Sequence, residues 1–90
     1  MTMKFVFTKH VAKDKIPALK NFGWVITKSH VKKVIKSPRW QGLTKKGQKT
    51  AMDLVDETHI LRVIFRKKDD IITIITLHIA RRGKYGSTLR

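Results

Sequence analysis

Cysteine is absent from the 90-residue chain, so disulfides and thiolate metal sites are excluded. Acidic residues are scarce as well, at 6 Asp plus Glu. Most of them fall in turn-like stretches, and they form no obvious carboxylate pair for acid–base work. Glycine and proline, at 5 and 2, do not gather into a linker, and the chain reads as a single domain over residues 1–90. Long apolar runs are also missing. The longest, Ile71 to Ile79, is broken by Thr73, Thr76 and His78, whereas a membrane-spanning helix needs about 20 apolar residues. The opening Met1-Thr2-Met3-Lys4-Phe5-Val6-Phe7 holds no stretch suited to a signal peptide. No membrane partner is expected, and the expected location is cytoplasmic. The 4 histidines lack metal-ligand spacing and no glycine loop is built to cradle phosphate, so neither a metal nor a cofactor is expected.

What the chain has in excess is positive charge. Lys plus Arg number 21, giving a net charge of +15. Self-repulsion of that size opposes compaction, and a negatively charged partner is the commonest reason to tolerate it. Hydrophobic residues make up 41% of the chain, enough for a folded globule rather than a disordered basic tail.

Local signals order the elements. Phe5, Val6 and Phe7 suit a short edge strand, and Thr8 reads as a helix N-cap. A helix is predicted from Lys9 to Phe22, kinked or restarted at Pro17 and stopped by Gly23. Thr27 caps a second helix with a buried stripe of Val31, Val34 and Ile35 and a basic stripe of Lys28, Lys32 and Lys36; Ser37-Pro38 ends it. Arg39 to Lys49 reads as a loop or an irregular hairpin. Strands are predicted over Thr50 to Val55, His59 to Arg66 and Ile71 to Ile79, the last two joined by the polar turn Lys67-Lys68-Asp69-Asp70. A basic tail runs from Arg81 to Arg90. The expected fold is α+β, with two N-terminal helices on one face of a curved antiparallel sheet of about four strands.

Alternation then distributes side chains between the faces. His59, Leu61, Val63 and Phe65 share one face, and Ile71, Thr73, Ile75, Leu77 and Ile79 form the more apolar set of the next strand. These are expected beneath the helices. The other face then carries Arg62, Arg66, Thr76 and His78 among isoleucines, and the turn sets residue 62 across from roughly residues 73–76. Such a face is either a plain solvated surface or a floor on which RNA lies.

Several segments together resemble a known domain family. Phe7-Thr8-Lys9-His10-Val11, Gly23-Trp24-Val25-Ile26-Thr27 and Ile35-Lys36-Ser37-Pro38 look like its two helices. Asp56 to Phe65 and Ile74-Ile75-Thr76-Leu77 look like its strand block, and Arg81-Arg82-Gly83-Lys84-Tyr85 like its basic, aromatic end. The family is bacterial and archaeal, of unassigned activity, and grouped by fold with the RelE/ParE-like, ribonuclease-like toxins. The resemblance runs from about residue 5 to residue 86, and implies a functional cleft on the sheet face away from the helices. The chain departs from the family at Val11 and at His78-Ile79-Ala80; the second departure bears on catalysis more than on fold.

Metal-independent RNA cleavage needs a base for the 2′-OH, an acid for the leaving 5′-oxygen and cations for the phosphorane. His78, Arg62, His10 and Thr76 are the candidate catalytic residues, with histidine suited to either proton role and arginine to bidentate phosphate contact. Arg81, Arg82, Lys84, Tyr85 and Arg66 are the candidate nucleic-acid contacts. Each also has a plainer role: His10 bonding near the cap, His78 on a solvated face, Tyr85 closing the core. Trp24 and Trp40 suit core or loop packing, although Trp40 lies among Lys36, Arg39, Lys45 and Lys46, where a base can stack. The Lys28/Lys32/Lys36 stripe reads as a solvated face. Three functions follow: a toxin-like RNA-binding protein with metal-independent endoribonuclease activity, a non-catalytic RNA- or DNA-binding module, or a basic domain that pairs with an acidic, antitoxin-like protein.

Overall fold

The computed structural model of the protein describes residues 3–81. Strand β1 (Lys4–Phe7) leads into a π-helical segment, His10–Lys15, that continues as α1 (Ile16–Asn21). Helix α2 (Lys28–Lys36) follows, and then strands β2 (Trp40–Leu43), β3 (Lys49–Leu54), β4 (His59–Lys68) and β5 (Ile71–Arg81). The strands form one sheet in the order β1-β5-β4-β3-β2. The fold is α+β with two N-terminal helices, as the sequence indicates, but the sheet has five strands and is mixed. The expectation of a four-stranded antiparallel sheet is corrected at two points. Arg39 to Lys49 contributes strand β2, antiparallel to β3. Phe5 to Phe7 is an edge strand as expected, but β1 runs parallel to β5, with Lys4 opposite Ile71 and Phe7 opposite Ile74. A parallel pair cannot be closed by a tight hairpin and needs a long connection, which the helices and the strands between β1 and β5 supply.

The helical hairpin follows from local chemistry. Thr8 accepts a 3.4 Å hydrogen bond at Oγ1 from the Val11 amide. Pro17 has no N–H, and its ring would strike the carbonyl of residue 13 in a regular helix. The turns before it are accordingly widened, and the Ile16 amide donates five residues back, to the Val11 carbonyl. After α1, the Gly23 amide donates to the Lys20 carbonyl and the Trp24 amide to that of Leu19. That pair of bonds is a Schellman stop, and Gly23 supplies its left-handed residue at φ 89°. Thr27 caps α2 by accepting from the His30 amide at 3.1 Å, and Val31, Val34 and Ile35 are its buried residues. Both helices press onto one sheet face, where Val11, Val31 and Val34 join Leu61, Val63, Phe65, Ile72, Ile74 and Leu77 in the core.

The hairpin of β4 and β5 holds the main correction to the alternation. Its turn is two residues, Asp69 and Asp70, which sets Lys68 opposite Ile71 and Phe65 opposite Ile74. Continued unbroken, that register would place Thr76 opposite Val63 and His78 opposite Leu61, beneath the helices. Instead a bulge leaves Ile75 without a partner, and pairing resumes with Ile64 opposite Thr76, Val63 opposite Leu77 and Arg62 opposite His78. The extra residue reverses the facing of everything beyond it. Ile72 and Ile74 therefore face the helices, not Ile71 and Thr73, while Leu77 and Ile79 face them as the sequence suggests. Residue 62 lies across from His78, two positions beyond the range expected for it.

Deleting Ile75 removes the bulge and leaves a regular ladder, because Thr76 still meets Ile64, Leu77 still meets Val63 and His78 still meets Arg62. The expected outcome is that residues 76–81 keep their faces and Leu77 stays beneath the helices. Chemical denaturation of the deletion variant checks this. A loss of about 1.5–3 kcal/mol, the cost of exposing Leu77, shows instead that the faces exchange and that Ile75 is not the extra residue.

Candidate nucleic-acid interface

The sheet face away from the helices is organised in cross-strand rows. The register aligns Trp40, Met52, Arg62 and His78 across β2, β3, β4 and β5. The next row holds Gly42, Thr50, Ile64 and Thr76. Arg66 lies opposite Thr73, toward the hairpin turn. Strands lie about 4.8 Å apart, so the first row runs roughly 14 Å from the His78 backbone to that of Trp40. Beyond its end, the Arg39 guanidinium sits 5.4 Å from the Trp40 ring centre, a cation–π geometry.

This face is not the open aliphatic floor that alternation suggests. Ile60, Ile64, Met52 and Thr50 are buried, with Ile60 at 0% exposure. Arg62, Thr76 and His78 are half-buried and Arg66 is exposed. A ligand on this face therefore meets polar and cationic groups at its margin and not an isoleucine surface. Trp40, Arg62 and His78 are not free side chains, for each already makes a polar, ionic or ring contact in the folded chain.

The structure gathers some of the candidate residues and separates others. Arg62, Thr76, His78 and Arg66 share the face, with Arg62 and His78 directly opposed. His10 does not join them. It lies in the helical layer across the sheet, exposed, with Nδ1 3.7 Å from the Asp14 carboxylate one turn on. The reason is the anchoring of Val11: the core holds that neighbour against β5 and leaves His10 on the outer side of the helix. Arg81 does not stand at the rim of this face either. It pairs with His59 and, two residues past Ile79, alternates onto the helix side. Arg82, Lys84 and Tyr85 lie outside the described residues. Among the described residues His78 is the one imidazole on this face, so the arrangement offers a phosphate clamp beside a single proton-transfer group.

Two features escaped the sequence. The lysine stripe of α2 is not simply solvated: Lys28 Nζ lies 5.5 Å from the Phe7 ring centre, and Lys32 and Lys36 Nζ each lie 5.7 Å from that of Phe5. Two rings one residue apart on each side of Val6 thus meet three ammonium groups spaced one helical turn apart. The period of four in the lysines was visible, but nothing in the sequence said that β1 would lie beneath them. The second feature is a turn cluster. Asp56 Oδ1 accepts from the amides of Thr58 at 2.8 Å and His59 at 2.7 Å. It also lies 3.1 Å from His59 Nδ1. A carboxylate only accepts, so Nδ1 carries the proton. The motif Asp-x-x-His across a strand entrance carried this signal.

The Thr58 amide chiefly, then the His59 side chain and amide and the Thr58 hydroxyl, hold the Asp56 carboxyl below the ordinary value of 3.8 despite desolvation acting the other way. A folded-state value below the unfolded one stabilises the fold above the unfolded value, and that contribution is lost as pH falls through the folded value. Asp56→Ala is therefore expected to lower the denaturation midpoint at neutral pH, with the gap to the parent closing below about pH 3.8. A gap of constant size across the acid range contradicts the assignment.

Against known protein families, characterised proteins and solved structures alike, the chain shows no match.

Proposed function

We propose that the protein is a RelE/ParE-like, toxin-type domain that binds RNA along the sheet face opposite its helices. The observation that carries this reading is the direct opposition of Arg62 and His78, in one row with Trp40 and beside Arg66, in a chain of net charge +15. Arginine offers paired donors to a phosphate, and tryptophan flanked by arginine offers a stacking surface to an unpaired base. The helical layer and the strand order support the likeness to the toxin fold, though β1 adds a parallel edge.

On this reading the phosphate of a bound strand lies against Arg62, and the His78 imidazole next to it moves the proton of the 2′-hydroxyl or of the leaving 5′-oxygen. Cleavage requires both transfers. Because His10 stands on the other side of the sheet, the second has to come from water or from outside the described residues. That requirement favours, as the second reading, a non-catalytic module that uses the same face only to bind RNA or DNA.

Incubation of the protein with total RNA, with and without chelator, followed by mapping of cut ends, separates the two. Cleavage that persists in chelator supports the enzyme, and binding without products supports the module. In either case affinity is expected to fall steeply with salt, since each neutralised phosphate releases counterions at a slope of about −0.7 per contact on a single strand. A flat salt dependence rules out a polyanion partner and leaves the acidic protein. Arg62→Ala is expected to weaken binding, and His78→Ala to abolish cleavage while sparing binding. Cleavage by His78→Ala at the parent rate removes His78 from the mechanism.

A further inference from the structure

At the pole where β5 ends and α1 stops, an open pocket of about 440 Å³ is lined by Leu19, Phe22, Trp24, His59, Ile79 and Arg81, among others. Its size falls within the ~300–1,000 Å³ typical of small-ligand sites. It lies on the helix side of the sheet, apart from the Arg62–His78 row, because His59 and Arg81 alternate with Ile60 and Ala80 onto that side.

Its lining combines three chemistries. The first is aromatic: Trp24 and His59 rings pack at 4.9 Å with a 54° tilt, and Phe22 stands 81% exposed beside them. A cluster serving only to close the core would cover Phe22; here it projects from the Schellman turn after α1. The second is cationic: exposed Arg81 is the direct cross-strand partner of His59, which puts a guanidinium and an imidazole on one lip. The third is a fixed tautomer. Asp56 Oδ1 and Thr58 Oγ1, at 3.1 and 2.9 Å, hold His59 Nδ1 as a donor, leaving Nε2 as the ring nitrogen that can accept from a ligand.

We propose that this pocket binds one unstacked nucleotide, its base against Phe22 and Trp24 and its phosphate on Arg81, with His59 Nε2 accepting from a ribose hydroxyl or a base amino group. An exposed aromatic beside a pocketed tryptophan suits a flat heteroaromatic ring, and the cation on the same lip suits the phosphate attached to it. The proposal rests on the RNA reading and adds to it a separate site, in which a single base is held away from the strand lying on the opposite face.

The test uses fluorescence, since the chain has 2 tryptophans. In the full chain carrying Trp40→Phe, Trp24 is the sole reporter. Adenosine 5′-monophosphate is expected to quench it saturably, ribose 5-phosphate to leave it unchanged, and Phe22→Ala or Arg81→Gln to weaken the nucleotide at least tenfold. Both substituted side chains are exposed, so neither change threatens the fold. Absence of saturable quenching, or quenching that survives both substitutions unaltered, overturns the proposal. Anisotropy of a labelled single-stranded RNA on the unsubstituted chain runs in parallel. If RNA binds in a salt-dependent way while the nucleotide leaves Trp24 silent, the pocket falls and the RNA reading stands. If the nucleotide quenches Trp24 and RNA does not bind, the RNA reading falls and the pocket stands.

Discussion

One unpaired residue governs where the chemistry of this protein sits. The β4–β5 hairpin is the longest pairing in the sheet, and its tight turn fixes a register that cannot hold along its whole length. With Phe65 opposite Ile74, the helix side receives apolar residues from both strands as far as Val63. There an unbroken β5 would present Thr76 and then His78. Inserting Ile75 without a partner delivers Leu77 and Ile79 to the helices and turns Thr76 and His78 outward. Hydrophobic burial is the force that selects the bulge, and the opposition of Arg62 to His78 is its by-product. Core and candidate site are thus two faces of the same register choice.

Charge is managed by geometry more than by pairing. With few carboxylates available, the contacts that they make include two with histidines, His10 with Asp14 and His59 with Asp56. The α2 lysines instead meet phenyl rings of β1. Such contacts are weak individually, about 0.5–1 kcal/mol at exposed sites, yet they place ammonium groups over an apolar edge without neutralising them. The protein therefore keeps its positive field while still covering Phe5 and Phe7 with lysine stems.

The parts of the fold legible in the sequence are those decided by neighbours along the chain. Thr27, Gly23 and Pro17 act within a few residues, and each appears where its chemistry puts it, while the turn read over Lys67 to Asp70 tightens to Asp69-Asp70 because Lys67 and Lys68 extend β4. The stripe of Val31, Val34 and Ile35 is also local, since a helix presents it whatever lies opposite. Most of what the sequence hid depends on distant partners. The parallel docking of β1 and the facing set by the bulge at Ile75 answer to residues far away in the chain, whereas the strand from Trp40 to Leu43 pairs with its near neighbour β3, where the sequence reads as a loop or an irregular hairpin. The candidate site divides in the same way. Arg62, Thr76 and His78 share a face as alternation says, although the alternation reached this for β5 only beyond the bulge. His10 and Arg81 were misplaced because their positions follow from packing of Val11 and from pairing with His59.

The parallel contact between β1 and β5 also dictates an order of assembly. Lys4 and Ile71 are neighbours in the sheet but stand at opposite ends of the described chain, so a long loop must close before β1 finds its place. The β4–β5 hairpin, closed by a two-residue turn, needs no such search. During synthesis from the ribosome, β1 emerges first and waits, with Phe5 and Phe7 uncovered, until nearly all of the sheet has been made. The first strand in the sequence is thus the last to be secured, and folding of this protein is a race between that late docking and whatever else an exposed pair of phenylalanines can stick to.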